Sequence, residues 1–383
     1  MTLALASKSP ARLATLRSAG IEPLVQVSEV DEQAVLSEVR GGPSQMVLAL
    51  ATAKARAVAE DPRDADGADL ILGCDSMFEF DGDVVGKPHS PEVARERLRA
   101  MSGHSGVLHT GHCLVHPGTF ATLSSVSHAT VHIAEMSDRE IDAYVASGEP
   151  LHVAGSFTVD GRGGPFIESV DGDYHGVVGL SLPLLRRMLA VHDLSITQLW
   201  TDAEPAAGGL SERGLAFLDE TRVFRPRHGA DGFILCSCGR RHWGIGGAAG
   251  VCAFRVCDGH TQVLLQLRST WSHGGGTWSI PGGAIEWFES PEEGALREFT
   301  EETQIGADRL TITGSHLADH GDWSYTTFVA RCDADTIPIA DRESLELAWV
   351  DIDGPEEPGE LHAAFAASWQ KVKELVKQAA AGA

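Results

Sequence analysis

Over the first 200 residues, apolar and polar positions switch between strand and helix periods. Leu3–Ala6 is an apolar run suited to a buried strand, and a helix follows it. Ser9 is placed to cap that helix, Pro10 takes its first position, Leu13 and Leu16 face inward, and Gly20 stops it. The pattern predicts a second helix over about 44–60 and a buried strand over 70–74. Ser90-Pro91 opens another helix, with Ala94, Leu98 and Met101 on one face and Gly103 at its stop. Ser137-Asp138-Arg139-Glu140 is a capping-box pattern ahead of Ile141, Tyr144 and Val145. Such alternation predicts an α/β domain, a sheet covered by helices.

After residue 232 the pattern changes. Strands are expected over 251–256 and 262–267 around an Asp258-Gly259 turn, then over 310–314, 325–331 and 345–350. A helix is expected over 291–303. A last amphipathic helix carries Leu361, Phe365, Trp369, Val372, Leu375 and Val376 on one face. Mixed strands with two helices predict a helix–sheet–helix sandwich. Between the halves, 199–232 mixes Gly, Ala, Pro and charge without sustained period, apart from one short helix that 210–223 could hold. The expected division is therefore a domain over 1–198, a linker over 199–232 and a domain over 233–383.

Length and composition agree with two globular domains: 383 residues, 43% apolar and 22% charged. The formal charge of −24 argues against binding long nucleic acid, whose phosphates need a broad basic surface. It leaves room for small anionic substrates met by divalent cations. No apolar run approaches the roughly 18 residues that would span a bilayer. The apolar start lacks the basic flank of a signal peptide. Seven cysteines, odd in number and mostly isolated, suggest reduced thiols in the cytoplasm.

The sharpest chemical pattern is Gly283, Glu289 six residues on, and then Arg297-Glu298-Phe299-Thr300-Glu301-Glu302-Thr303-Gln304-Ile305. Ser290-Pro291 starts the helix and Glu293 completes a capping box. On that helix Glu298, Glu301 and Glu302 fall within an arc of about 100°. Three carboxylates on one face repel one another, and hard oxygen ligands clustered this way suit Mg²⁺ or Mn²⁺. Arg297 stands four residues before Glu301 and can hold a carboxylate by a bidentate contact. Taken alone, Glu301-Glu302 would read as a solvated acidic face. The full spacing resembles the Nudix box, the pyrophosphate-hydrolysing signature, at every specified position but one: the late glycine is Gln304 here. The lead-in 277–283 is similar as well. The resemblance implies hydrolysis of a nucleoside diphosphate linked to a group X. Glu298, Glu301 and Glu302 would be metal ligands, Glu289 would contribute, and one of these glutamates or Glu343 would be the base. Trp271 to Gly276 and Asp319 to Trp323 would be substrate loops, with core packing the alternative for their tryptophans.

A second pattern opens the chain. Ala6-Ser7-Lys8-Ser9-Pro10-Ala11-Arg12 lies between strand and helix, where free backbone N–H groups favour an anion. The string resembles the Ser-x-Ser-Pro-x-Arg signature of the Maf family of nucleoside triphosphate pyrophosphatases. Further landmarks follow in order: Asp31-Glu32, Lys54-Ala55, Cys74-Asp75-Ser76, Gly86-Lys87-Pro88, Ser102-Gly103, Thr110-Gly111, Ala154 to Phe157, and Val178-Gly179-Leu180. The resemblance implies Asp75 as catalytic base and Glu32 with Asp75 as metal ligands. Ser7, Lys8, Arg12, Lys54 and Lys87 would hold the triphosphate, and attack by water would split the α–β phosphate link. Asp160 stands where many relatives carry glutamine and others an acid; an acid there could accept hydrogen bonds from a purine.

Cys236-Ser237-Cys238 with His242 leaves two readings open. A zinc site could be completed by Cys252 and Cys257, although the C-x-C gap is short and no second C-x-x-C follows. Plain reduced cysteines are the alternative. The joint expectation is a two-site phosphoanhydride hydrolase using Mg²⁺ or Mn²⁺. Its partners would be nucleoside triphosphates and diphosphate derivatives, with neither nucleic acid nor membrane, and a homodimer as candidate assembly. The rival is a nucleotide sensor whose second half binds without hydrolysing.

Overall fold

A computed structural model describes the chain except residues 62, 64, 202–228, 271, 273, 355–358 and 382–383. The short helix expected over 210–223 and most of the expected linker lie outside the described residues. The chain separates into two units, Met1–Leu235 and Cys236–Ala383. Phe233–Leu235 belongs with the first because it forms a strand there.

In the first unit, β1 (Leu3–Ala6) pairs in parallel with β2 (Leu24–Gln26) and with β3 (Leu70–Phe80). Antiparallel β5 (Ser105–Val115) and β6 (Thr122–Ile133) follow, and β8 (Phe233–Leu235) adds in parallel to β6. Two short strands, β4 (Asp83–Val85) and β7 (Ile167–Gly172), extend β3 and β6. The helices are α1 (Pro10–Ser18), α2 (Glu32–Glu38), α3 (Pro43–Glu60), α4 (Pro91–Met101), α5 (Asp138–Ala146), α6 (Tyr174–Val178) and α7 (Leu182–Ala190). The caps act as their residues imply: Ser9, Ser90 and Ser137 each accept a first-turn N–H, and Ser137 and Glu140 close a capping box.

One sheet face buries Leu16, Leu184, Leu185 and Met188 from α1 and α7; the other packs Ala51, Ala55 and Val58 of α3. That second contact is backbone-close. A Cβ at Gly73 would stand 2.2 Å from the Ala51 carbonyl oxygen, and one at Gly111 would stand 2.3 Å from that of Val47. Only glycine lets α3 lie this near the sheet.

His112 sits wholly buried between sheet and α7. Its Nδ1–H donates to the Thr110 carbonyl at 3.0 Å, and its Nε2 accepts from the Ser181 amide at 2.8 Å. Burial pushes its pKa down to about 4. Between about pH 6.5 and 4 the unfolded chain therefore binds a proton that the native imidazole refuses. Stability is full above that window and falls as pH drops through it, by about 3 kcal/mol from this residue. His112→Asn is expected to lower stability at pH 7 but to flatten its decline toward pH 4, as read by thermal or urea melts. An unchanged slope would refute the assignment.

The second unit has β9 (Arg241–Trp243), β10 (Ala248–Cys257), β11 (His260–Arg268), β12 (Trp278–Ser279), β13 (Gly282–Ala284), β14 (Leu310–Asp319), β15 (Ser324–Cys332) and β16 (Ser344–Asp351). Strand β10 is central, antiparallel to β11 and β13 and parallel to β15; β14 adds to β15, and β12 and β16 add to β11. Helix α8 (Pro291–Thr303) covers one face through Ala295 and Phe299, and α9 (Ala363–Ala381) covers the other through Phe365, Trp369, Val372 and Val376. This is the expected α/β/α sandwich. Leu361, expected on the last helix, precedes it and bridges to Trp278 instead.

Candidate active sites

Asp75 was expected at the end of a short strand. The strand instead continues to Phe80, so Asp75 lies at its middle. What ends there is the neighbour: β1 pairs with β3 only as far as Leu72. Between Leu72 and Phe78, where β4 takes over, that edge of β3 is open to the loop after β1. Arg12 reaches into it, donating to the Cys74 carbonyl (2.8 Å), the Ser76 hydroxyl (3.2 Å), the Ser7 hydroxyl (3.2 Å) and the Gly179 carbonyl (2.8 Å). None of these partners is a carboxylate, so the guanidinium charge stays available to an anion while its position is fixed by backbone.

Asp75 shares the parity of Gly73 along β3 and therefore faces α3. There Lys54 Nζ lies 2.5 Å from Asp75 and 2.7 Å from Glu32, which is the first residue of α2. Burial works against ionising Glu32, but the Lys54 hydrogen bond and the charges of Lys54, Lys87 and Arg12 hold its pKa below the ordinary value. Three of the expected cations, Lys54, Lys87 and Arg12, thus act on Glu32, and Lys54 also holds Asp75. Ser7 is buried beside Arg12. Lys8 and Lys87 are exposed, and the Lys87 loop is anchored by Arg97 donating to the Gly86 carbonyl. Asp160 is exposed on a bend.

That bend is held by a residue that pattern reading overlooked. The Glu149 carboxylate accepts from Tyr144 OH, Thr158 Oγ1 and the amides of Arg162 and Gly163. A single acid after a helix stop carries no periodic signal, so only the folded loop reveals its role.

In the second unit, Ser290 and Glu293 close the expected capping box and Pro291 opens α8. Arg297 is the hub of the acidic face, though not as expected. Its bidentate partner is Glu289, at 2.6 and 2.9 Å, rather than Glu301. The loop before α8 turns Glu289 back along the helix, where its Oε2 also accepts the Glu286 amide. Arg297 further donates to Glu298 at 2.8 Å and lies 3.7 Å from Glu301. Gly283 makes room for Glu298, since a Cβ there would stand 2.5 Å from its carboxylate.

The three glutamates differ in setting. Glu301 is 46% exposed, Glu298 17%, and Glu302 only 4%. Glu302 accepts the Gly282 amide at 2.8 Å. Burial, and then the charge of Glu298, push its pKa up to about 8. A buried carboxyl that resists ionising beside a second carboxylate belongs to a donor set for a hard divalent cation, which would relieve the repulsion. Gln304, the one departure from the box, ends α8 in the left-handed region at φ 57°. It takes the backbone shape a glycine would supply.

Of the two expected substrate loops, Trp271 and His273 lie outside the described residues. Trp323 is buried. Its Nε1 donates to the Trp243 and Gly244 carbonyls, and its ring stacks on His242 at 4.1 Å. It is packed into the domain and does not form an open platform. Glu343 lies just before β16, its amide bonded to Asp341.

Residues 2–192 match the model of Maf-like proteins, and residues 247–378 match that of the NUDIX domain. A nucleoside triphosphate pyrophosphatase of Streptomyces coelicolor is 52% identical over 53% of this chain and 96% of its own length. The chain belongs to the Maf family, with a Nudix domain as its second half. A Bifidobacterium longum protein described as a nucleoside triphosphate pyrophosphatase/Nudix hydrolase fusion is 46% identical over 78% of this chain. The matched stretch spans 64% of that relative's length. Among solved structures, a Nudix hydrolase from M. smegmatis is 38% identical, covers 39% of this chain and 96% of its own, and has a TM-score of 0.36. Among the described residues of the Maf–Nudix chain, no helix is long and apolar enough to cross a membrane.

Proposed function

We propose that the Maf half splits nucleoside triphosphates into monophosphate and pyrophosphate, and that the Nudix half hydrolyses nucleoside diphosphates linked to a second group. The observation that carries the first reading is Lys54 bridging Asp75 and Glu32 beside the backbone-held Arg12. Together these activities would clear unwanted or damaged nucleotides, in the cytoplasm, where the seven cysteines described as free would stay reduced. The catalytic domains are proposed as 1–198 and 236–383, with 199–232 between them and Phe233–Leu235 returned to the first sheet.

In the Maf half, the triphosphate docks on Arg12, Ser7, Lys8, Lys54 and Lys87. Phosphate oxygens compete with Asp75 for Lys54 and free the carboxylate. Asp75 then takes a proton from a water whose oxygen bonds to the α-phosphorus, while the α–β bridging bond breaks and pyrophosphate leaves. Glu32 and Asp75 offer the oxygens for Mg²⁺ or Mn²⁺. In the Nudix half Glu298, Glu301 and Glu302 would hold the cation. Arg297 orients Glu289 and Glu298, and Glu301, the most open of the three, is the candidate for deprotonating water. The metal in either half would neutralise phosphate charge and lower the pKa of a bound water.

The one departure from the box, Gln304, is the feature that would favour the sensor reading. Its left-handed backbone keeps the helix-end shape a glycine would supply, which favours the hydrolytic reading. The test is turnover: the full chain with Mg²⁺ or Mn²⁺ should release pyrophosphate and monophosphate from a panel of nucleoside triphosphates. It should also hydrolyse at least one member of a set of diphosphate-linked nucleosides. Tight binding without turnover of the second set would restore the sensor reading.

A further inference from the structure

Neither phosphate site uses the turn that opens the second unit. There Cys236 Sγ, Cys238 Sγ and a His242 ring nitrogen all lie within 4.8 Å of one another. Cys238 Sγ is 3.2 Å from His242 Nε2. We propose that these three side chains bind one zinc ion, with water at the fourth position.

The geometry fits the metal. Tetrahedral zinc with sulfur at about 2.3 Å and nitrogen at about 2.0 Å needs ligand atoms roughly 3.5–3.8 Å apart. The three donors need only small rotations to reach those spacings. The turn is built to hold them. The Cys236 amide donates to the Arg240 carbonyl at 3.0 Å, and the Gly239 amide returns to the Cys236 carbonyl at 2.9 Å. Gly239 adopts φ +79°, which the bend requires.

Surrounding groups orient the donors, as outer-shell partners do in metal sites. The His242 ring lies flat on Trp323, with 7° between the planes, which fixes the direction of its nitrogens. The Ser237 amide donates to Asp322 Oδ2 at 2.8 Å. Cys236 is buried while Cys238 is exposed, so an ion could enter from the Cys238 side and keep a water there.

The expected completion by Cys252 and Cys257 does not occur. Cys252 is fully buried in the middle of β10, and Cys257 lies at the far end of that strand, beside the turn to β11. Among the described residues the group contains three ligands. Two thiolates and an imidazole select zinc over Mg²⁺ or Mn²⁺, so this ion is distinct from the catalytic ones. Bound, it would tie 236–242 to the loop between β14 and β15 through His242, Trp323 and Asp322.

The full chain, purified in buffers containing zinc and then gel-filtered against excess Mg²⁺, should retain about one zinc per chain by elemental analysis. Cobalt substitution should give a thiolate-to-cobalt charge-transfer band and the intense visible bands of a tetrahedral site. Cys238→Ser and His242→Ala should each cut zinc retention by about tenfold or more, in line with loss of one of three ligands. Thermal melts followed by tryptophan fluorescence check that the variants keep the fold of the second unit. The cobalt spectrum of the unaltered chain keeps the test decisive if both variants fail to fold. Retention below about a tenth of an ion per chain without a cobalt band, or a Cys236–Cys238 disulfide in place of metal, would overturn the proposal.

Discussion

Asp75→Asn is expected to lower pyrophosphate release from nucleoside triphosphates by about 10²–10⁴-fold, the usual worth of a general base. Asparagine keeps the shape of the side chain and can still accept from Lys54, which lies 2.5 Å away. It cannot take the proton of the attacking water. The fold should survive, because β3 is held by its pairing with β5 and by the close approach of α3 at Gly73, neither of which involves the carboxylate. Substrate affinity should change little, since Arg12 keeps its backbone partners and Lys54 keeps Glu32. Hydrolysis by the Nudix half serves as the internal control and should be unaffected. A variant within about tenfold of the parent would move the base elsewhere, with Glu32→Gln as the next measurement.

The second large effect is expected in the other half. Glu301→Gln should reduce hydrolysis of diphosphate-linked nucleosides by about 10²–10⁴-fold, with triphosphate cleavage intact. Glu301 is substantially exposed and its contact with Arg297 is a loose 3.7 Å, so its replacement should shift stability by no more than about 0.5 kcal/mol. Glu302→Gln should cause a loss of similar size by another route. Glu302 is buried and accepts the Gly282 amide, and glutamine can keep that bond while losing the charge. Titrating Mg²⁺ separates the roles. Partial recovery at high metal marks a lost ligand, expected for Glu302→Gln. Loss that no metal concentration restores marks a ligand that is also the base, expected for Glu301→Gln. The reverse pattern would exchange the two assignments.

Much of the fold was legible in the sequence because its helices announce themselves. The Ser-Pro starts at Ser9, Ser90 and Ser290 and the capping boxes at Ser137 and Ser290 all appear where the residues placed them. The sandwich of the second half was equally clear, since its strands alternate with visible turns such as Asp258-Gly259, both at positive φ. Two of the three longest strands of the first half were not legible. Strands β5 and β6 carry Thr110, His112, Ser124, Ser125 and Ser127 in buried positions, so they do not read as apolar. Each polar group is satisfied by the tertiary structure: Thr110 by Ser76 and Gly176, Ser125 by the Leu235 carbonyl, His112 by Ser181. No local pattern encodes such partners. The same limit applies to the sites. Motif spacing identified Glu298, Glu301 and Glu302, but it assigned Arg297 to Glu301 on helical spacing alone. The loop that brings Glu289 back to Arg297 was visible only in three dimensions. Likewise the opening beside Asp75 arises because β1 stops short, a fact about the neighbouring strand.

The two glycines under α3 carry one last consequence. Gly73 and Gly111 sit on adjacent strands and receive successive turns of one helix, at Ala51 and Val47. A helix seated on such a rail can neither slide nor roll by one residue without driving a side chain into a carbonyl. The spacing between the backbones that carry Lys54 and Asp75 is therefore set by main-chain packing, and the attraction between their side chains does not have to maintain it. When a phosphate draws the Lys54 ammonium away from Asp75, the backbones that carry the two side chains stay in place. The reacting geometry is stored in the scaffold before substrate arrives, so little reorganisation remains for the chemical step.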